Sequence, residues 1–285
     1  MSGLGLTFLR RGGLTHPTAG SDYIKFVNEA VFNILMSKGV SSDGVGITKD
    51  DAARVTTIGT WFKGNTEITS FNELELFVRV TSLDAEAFSG CTNLNDVSLK
   101  NILSIGVDAL KKTNIHYVDA PYLTNINRYA FTETHALVSV EIPLCTQILQ
   151  GGFYQSNLQS IECDNVKKIE LDGLKGTGIR ELSLPKVNTI GGDAVNLCSS
   201  LVKVDIGDSI TSIGNFAFGH DPSLDTVIIR AVTPPAAGRL IFEDTGIDSG
   251  SGYIYVPDAS IEAYKTAANW STYASRIKGI SEYNG

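Results

Sequence analysis

Basic charge is scarce in this chain, and long apolar runs are missing altogether. Its 285 residues carry 23 Lys and Arg against 31 Asp and Glu, a formal net charge of −8. Binding a phosphate backbone needs clustered cations, so nucleic acid is not an expected partner. No apolar stretch approaches the length of a membrane span, so membrane insertion is not expected either. The histidines, His16, His116, His135 and His220, form no i, i+4 pair and have no cysteine at metal-ligand spacing. Cys91, Cys145, Cys163 and Cys198 lack the C-x-x-C pairing of a metal or redox site. No G-x-S-x-G elbow, P-loop or dinucleotide fingerprint occurs. These absences lead us to expect no metal, no cofactor and no catalysis.

What the chain does have is self-similarity. The apolar anchors Leu94, Ile115, Leu137, Leu158, Ile179, Leu201 and Leu224 are spaced by 21, 22, 21, 21, 22 and 23 residues. Such a period marks a stack of small coils, each burying its apolar face against its neighbours. Three residues after each anchor stand Val97, Val118, Val140, Ile161, Leu182, Val204 and Val227, and two further on Leu99, Ala120, Ile142, Cys163, Leu184, Ile206 and Ile229. A spacing of two sends both columns to one side of a strand. A later column reads Ile105, Ile126, Ile148, Ile169, Ile190 and Ile213, followed by small–large pairs such as Ala87-Phe88, Gly152-Phe153 and Ala217-Phe218. A coil of this length encloses no core alone, but seven stacked coils share one. All four cysteines fall on repeat columns and read as small buried hydrophobes with free thiols.

The segments Leu201 to Phe218 (LVKVDIGDSITSIGNFAF) and Phe88 to Leu99 (FSGCTNLNDVSL) resemble leucine-rich repeats of BspA type. The resemblance recurs over more than half the chain. It implies an α/β repeat solenoid with a parallel concave β-sheet, a helical N-terminal cap and an α+β C-terminal cap. It also implies roles in surface adhesion and partner binding. The segment from Val256 to Ile280 resembles the closing module that is common in such proteins.

The expected organisation is an extended arm over residues 1–20, a helical cap over 21–57, the solenoid over 58–230 and a C-terminal cap over 231–285. Ser21 or Asp22 should open a helix running to about Lys38, with Ile24, Val27 and Val31 on one face. A second should start at Thr48. Ile58-Gly59 and Trp61-Phe62 echo half a repeat, and the first full repeat carries an insertion near residues 72–79. The pattern should stop at Thr233-Pro234-Pro235, where prolines remove ladder donors. A Gly/Ser loop (246–252), a strand from Tyr253 to Val256 and a helix from about Ser260 to Ala268 should follow. Tyr264, Trp270 and Tyr273 are the expected core of the cap.

Strand residues between the inward columns face outward. One such column reads Ser98, Asp119, Glu141, Glu162, Ser183, Asp205 and Ile228; its neighbour reads Asp96, Tyr117, Ser139, Ser160, Glu181, Lys203 and Thr226. With rungs about 4.8 Å apart, Asp119, Glu141 and Glu162 form an acidic row. The row is read as a solvated face or as a site for a basic protein patch or a divalent cation. A catalytic carboxylate pair is disfavoured because a flat sheet offers no pocket to separate two pKa values. Candidate binding residues are therefore Tyr117, Asp119, Glu141, Glu162, Glu181, Lys203 and Asp205. Arg10 and Arg11 make a candidate docking arm.

The opening MSGLGLTFLRRGG lacks the apolar stretch of a secretory signal. The leading expectation is a non-enzymatic leucine-rich-repeat interaction protein, and its first version is a structural or host-recognition component of a virion, such as a phage, delivered by assembly and lysis. The alternatives are a bacterial surface or secreted adhesin trimmed of its leader, an accessory to glycan processing, and a scaffold that forms homo-oligomers. Expected partners are a protein or glycan ligand and other structural proteins of an assembly.

Overall fold

The computed structural model describes residues 22–284; the arm over 1–20, with Arg10 and Arg11, lies outside the described residues. From Ser70 onward the chain winds as a stack of coils with three sides. One side carries the longer strands, and these pair in parallel as three consecutive sheets. Ser70–Phe71 pairs with Asp96–Val97; Tyr117–Asp119, Ser139–Glu141 and Ser160–Glu162 follow. Glu181–Leu184, Lys203–Ile206, Thr226–Ile229, Tyr253–Val256 and Ile277–Gly279 make the last sheet. The expected single sheet is thus interrupted. The breaks fall between Val97 and Tyr117 and between Glu162 and Glu181, while the other two sides run on.

The second side is an unbroken eight-stranded parallel sheet of two-residue strands, from Ser82–Leu83 to Ala236–Ala237. In the repeats its first residue is polar and faces out, and its second, the isoleucine column, is buried. Thr233-Pro234-Pro235 does not end this ladder. The prolines precede the strand, and Ala236 still donates its N–H to the Thr211 carbonyl at 2.9 Å.

On the third side the backbone alternates between bonds inside a coil and bonds to the next. Glu86, Phe88 and Gly90 donate to the carbonyls of Val107, Ala109 and Lys111 at 2.9, 2.8 and 2.9 Å. The same triplet recurs at each junction, down to Phe216, Phe218 and His220 bonding Arg239, Ile241 and Glu243. This alternation requires left-handed backbone at two positions per coil. Apart from Asn269, every non-glycine residue with positive φ among the described residues occupies one of those two columns. Glycine is obligatory at few of these turns. Gly191, outside these two columns, is required for a different reason, since a Cβ there would sit 2.7 Å from the Glu170 carbonyl carbon of the preceding coil.

The shared interior follows the columns. All seven anchors are fully buried, as are Ile142 and Leu184, and Val118 is 2% exposed. Ile161 is only partly buried but packs on the same core. Phe88, Phe131, Phe153 and Phe218 are buried in the small–large position. Where successive coils both place phenylalanine there, the rings stack, as in Phe131–Phe153 at 5.0 Å and Phe218–Phe242 at 5.7 Å. The four thiols are free and buried, and burial pushes the Cys91 and Cys145 thiols up to about 11 and those of Cys163 and Cys198 to about 12.

The ends differ in detail from expectation. The first helix is Glu29–Ser37, not one opening at Ser21 or Asp22. Asn28 is its cap, accepting the Val31 N–H, and the residues before it are extended, with Ile24 bonding Ile47. That extended stretch buries Ile24 and Phe26 and leaves Val27 82% exposed, an alternation of two and not a helical face. The second helix, Lys49–Arg54, opens with a capping box between Thr48 and Asp51. The insertion in the first repeat is a short 3-10 helix, Asn72–Leu76. Near the C-terminus, part of the expected Gly/Ser loop is a helical turn, Gly246–Ser249, closed by Gly250 at φ 96. The next helix is Ile261–Thr266, shorter than expected, and Ala268 lies beyond it and is exposed. Tyr264, Trp270 and Tyr273 are buried. Their polar tips are bonded: Tyr264 donates to the Ala231 carbonyl and Trp270 to that of Pro235, each at 2.8 Å.

Candidate functional site

The candidate residues stand on the long-strand side because the inward columns leave them no other direction. Asp119, Glu141 and Glu162 are in direct register on adjacent strands. Asp119 and Glu141 are half-buried and Glu162 is exposed. Like charges on neighbouring rungs oppose pairing, and hydration keeps that cost small. Tyr117 sits one column away, 46% exposed. Its hydroxyl bonds the Glu141 carboxylate across the diagonal, and this bond pushes the phenol up to about 12. These four residues form one group.

Glu181, Lys203 and Asp205 belong to the neighbouring sheet and do not extend the row. Glu181 is in register with Lys203, and Ser183 with Asp205. Arg230 grips Asp205 with two bonds, Nε at 3.0 Å and Nη2 at 2.7 Å, so this carboxylate is already neutralised. Lys203 bonds the Tyr283 hydroxyl, which raises the ammonium above its ordinary value.

Beyond them stands a cluster that reasoning from the repeat missed. Tyr253 and Tyr255 project from one strand with ring centres 6.3 Å apart, and Tyr283 lies 5.0 Å from Tyr255. Arg276 and Lys278 lie over the Tyr253 ring at 4.3 and 3.6 Å. Ile228, in register with Tyr255, faces outward yet is only 3% exposed. The alternation in Tyr-Ile-Tyr-Val was the available signal. It places both tyrosines on the face that carries Lys203.

Among the described residues, no three His, Cys, Asp or Glu side chains converge as metal ligands. His220 instead faces Asn196 at 3.3 Å and Asp244 at 3.5 Å on the turn side. No helix among the described residues is long and apolar enough to cross a membrane.

A profile of the BspA type leucine rich repeat region matches in six copies, over residues 56–177 and 124–245. The chain belongs to the BspA type leucine-rich repeat family. No curated protein sequence matches it. Several solved structures are similar to it at low identity. A leucine-rich repeat protein of Bacteroides ovatus is 16% identical, covering 80% of this chain and 82% of its own, with a TM-score of 0.35. The pneumococcal vaccine antigen PcpA is 14% identical over 71% of this chain and 64% of its own, with a TM-score of 0.42. A leucine rich cell surface protein of Faecalibacterium prausnitzii is 17% identical over 71% and 77%, with a TM-score of 0.32. The BspA type columns are the buried positions of the coils. The candidate binding residues lie between them.

Proposed function

We propose that this BspA type protein is a non-enzymatic interaction protein that works outside the cell and binds a protein ligand through its long-strand side. The observation that carries this reading is the in-register row Asp119, Glu141 and Glu162, with Tyr117 bonded to Glu141. Side chains fixed on strands lose little freedom on binding, so the contact free energy is not consumed by ordering them. A row of negative charge flanked by an aromatic ring suits a basic protein patch, by attraction at long range and desolvation at short range. Family membership supports adhesion over catalysis. The virion setting rests on residues 1–20 alone, so the surface-adhesin setting is the one taken forward.

The experiment is binding of the full chain to immobilised extracellular proteins of host type. The combined D119N, E141Q and E162Q variant should weaken binding about tenfold or more, in line with close interfacial charge pairs. K167Q with K168Q, on the eight-stranded sheet, should leave it unchanged. Binding indifferent to the row, or glycoside turnover abolished by E141Q, would overturn the reading.

A further inference from the structure

We propose that the C-terminal part of the long-strand side is a second recognition site, which takes an acidic peptide segment of a protein partner. This deepens the adhesion reading and rests on it. The chain is acidic overall, yet here cations gather: Lys278 and Arg276 lie over Tyr253 at 3.6 and 4.3 Å, and Lys203 lies 5.2 Å from the Tyr283 ring centre. The nearby carboxylate of Asp205 is occupied by Arg230. Glu181 remains beside Lys203 and is exposed.

The rings decide what kind of ligand fits. Tyr253 already has two cations over it, and Tyr255 is tilted by 51° to Tyr253 and 59° to Tyr283. No coplanar pair of free faces is on offer, so a stacked sugar is a poor match. What the cluster does offer is positive charge held in place by aromatic faces. The rotamer freedom of two lysines and an arginine is thereby partly spent before any partner arrives. Tyrosine and arginine around a buried apolar floor, here Ile228, is the composition of residues that dominate protein interfaces. Carboxylates meet the cations, and the acidic segment's backbone and stems meet the ring edges and hydroxyls.

The test is titration of the full chain with oligo-glutamate, oligo-glutamine and oligogalacturonate at low and high salt. Oligo-glutamate should bind in a salt-sensitive manner, and oligo-glutamine should not. The K203Q and K278Q pair should weaken oligo-glutamate about tenfold or more. Tyr283→Ala, at the chain's end, should also weaken it by releasing Lys203. K167Q with K168Q should have no effect. Equal loss in that control, or tighter binding of oligogalacturonate than of oligo-glutamate, would overturn the proposal. So would a wild-type dimer dissolved by K203Q and K278Q, since the occupant would then be a second copy. If oligo-glutamate fails to bind while an extracellular protein still depends on the acidic row, this site falls and the adhesion reading stands.

Discussion

Asp221 offers the sharpest test of how the coils are held. It occupies the buried column held elsewhere by Thr113, Thr134, Thr177 and Thr245, and it has no exposed surface. One carboxyl oxygen accepts the Cys198 N–H at 2.6 Å, and the other has no partner. Burial pushes its pKa up to about 9, from an ordinary value of 3.8. In the unfolded chain the group ionises above about pH 4. Between pH 4 and 9 the folded state therefore holds one proton that the unfolded state has lost. Stability must fall as pH rises through that window, at up to about 1.4 kcal/mol per unit. Asp221→Asn cannot ionise and keeps an oxygen for the Cys198 amide. Variant and wild type should match near pH 4 and diverge steadily, with a ceiling of about 4 kcal/mol between pH 5 and 8. Urea midpoints followed by tryptophan fluorescence at each pH would measure this, with the exposed Asp225→Asn as control. Parallel curves for D221N and wild type, or a less stable D221N at pH 8, would refute the reasoning.

Three other outcomes follow from the coil geometry. Leu197 is 52% exposed at φ +61, so Leu197→Gly should raise stability by about 0.5–1 kcal/mol in urea unfolding, against the usual direction for glycine. Tyr264→Phe strands the Ala231 carbonyl, bonded now at 2.8 Å, and should lower stability by about 1–2 kcal/mol in thermal unfolding. Glu141→Gln removes the charged acceptor that does most to raise the Tyr117 phenol to about 12; ring-labelled NMR titration should find the phenol lowered toward, but not to, its ordinary value of about 10, because burial, Asp119 and Glu162 still raise it.

Why some of this was legible in sequence and some was not comes down to what a side-chain pattern can encode. Leu94 through Leu224 recur because every coil must fill the same slot, so the buried columns read directly from spacing. The third side's ladder is made of backbone N–H and C=O groups, which any residue supplies. Its left-handed positions are filled by Glu86, Tyr129, Phe216 and Leu240 as readily as by Gly151, so no residue type betrays them. The extended entry before Asn28 was misread because Ile24, Val27 and Val31 fit a helical face. Only the cap at Asn28 and the bond from Ile24 to Ile47 decide otherwise. The acidic row was visible because the period of two is strict. The Tyr253–Lys278 cluster was not, because Arg276, Lys278 and Tyr283 reach it from beyond the last repeat.

The two ends of the long-strand side also differ in charge in a way the repeat alone does not require. A coil needs its inward residues at fixed columns and is indifferent to the two outward positions on each strand. Those positions are acidic at Asp119, Glu141 and Glu162 and become cationic and aromatic from Lys203 to Lys278. Reversing charge at either end should therefore change binding while leaving unfolding midpoints nearly untouched, because exposed ion pairs contribute at most about 1 kcal/mol. Substitution at Ile142, fully buried one residue inward of Glu141, should do the opposite: Ile142→Ala should cost about 2–5 kcal/mol. In the proposed reading a single rung carries scaffold and recognition on adjacent residues. Measuring both midpoints and affinity for E141Q and I142A would expose any coupling between them; the separation of columns predicts that it is small.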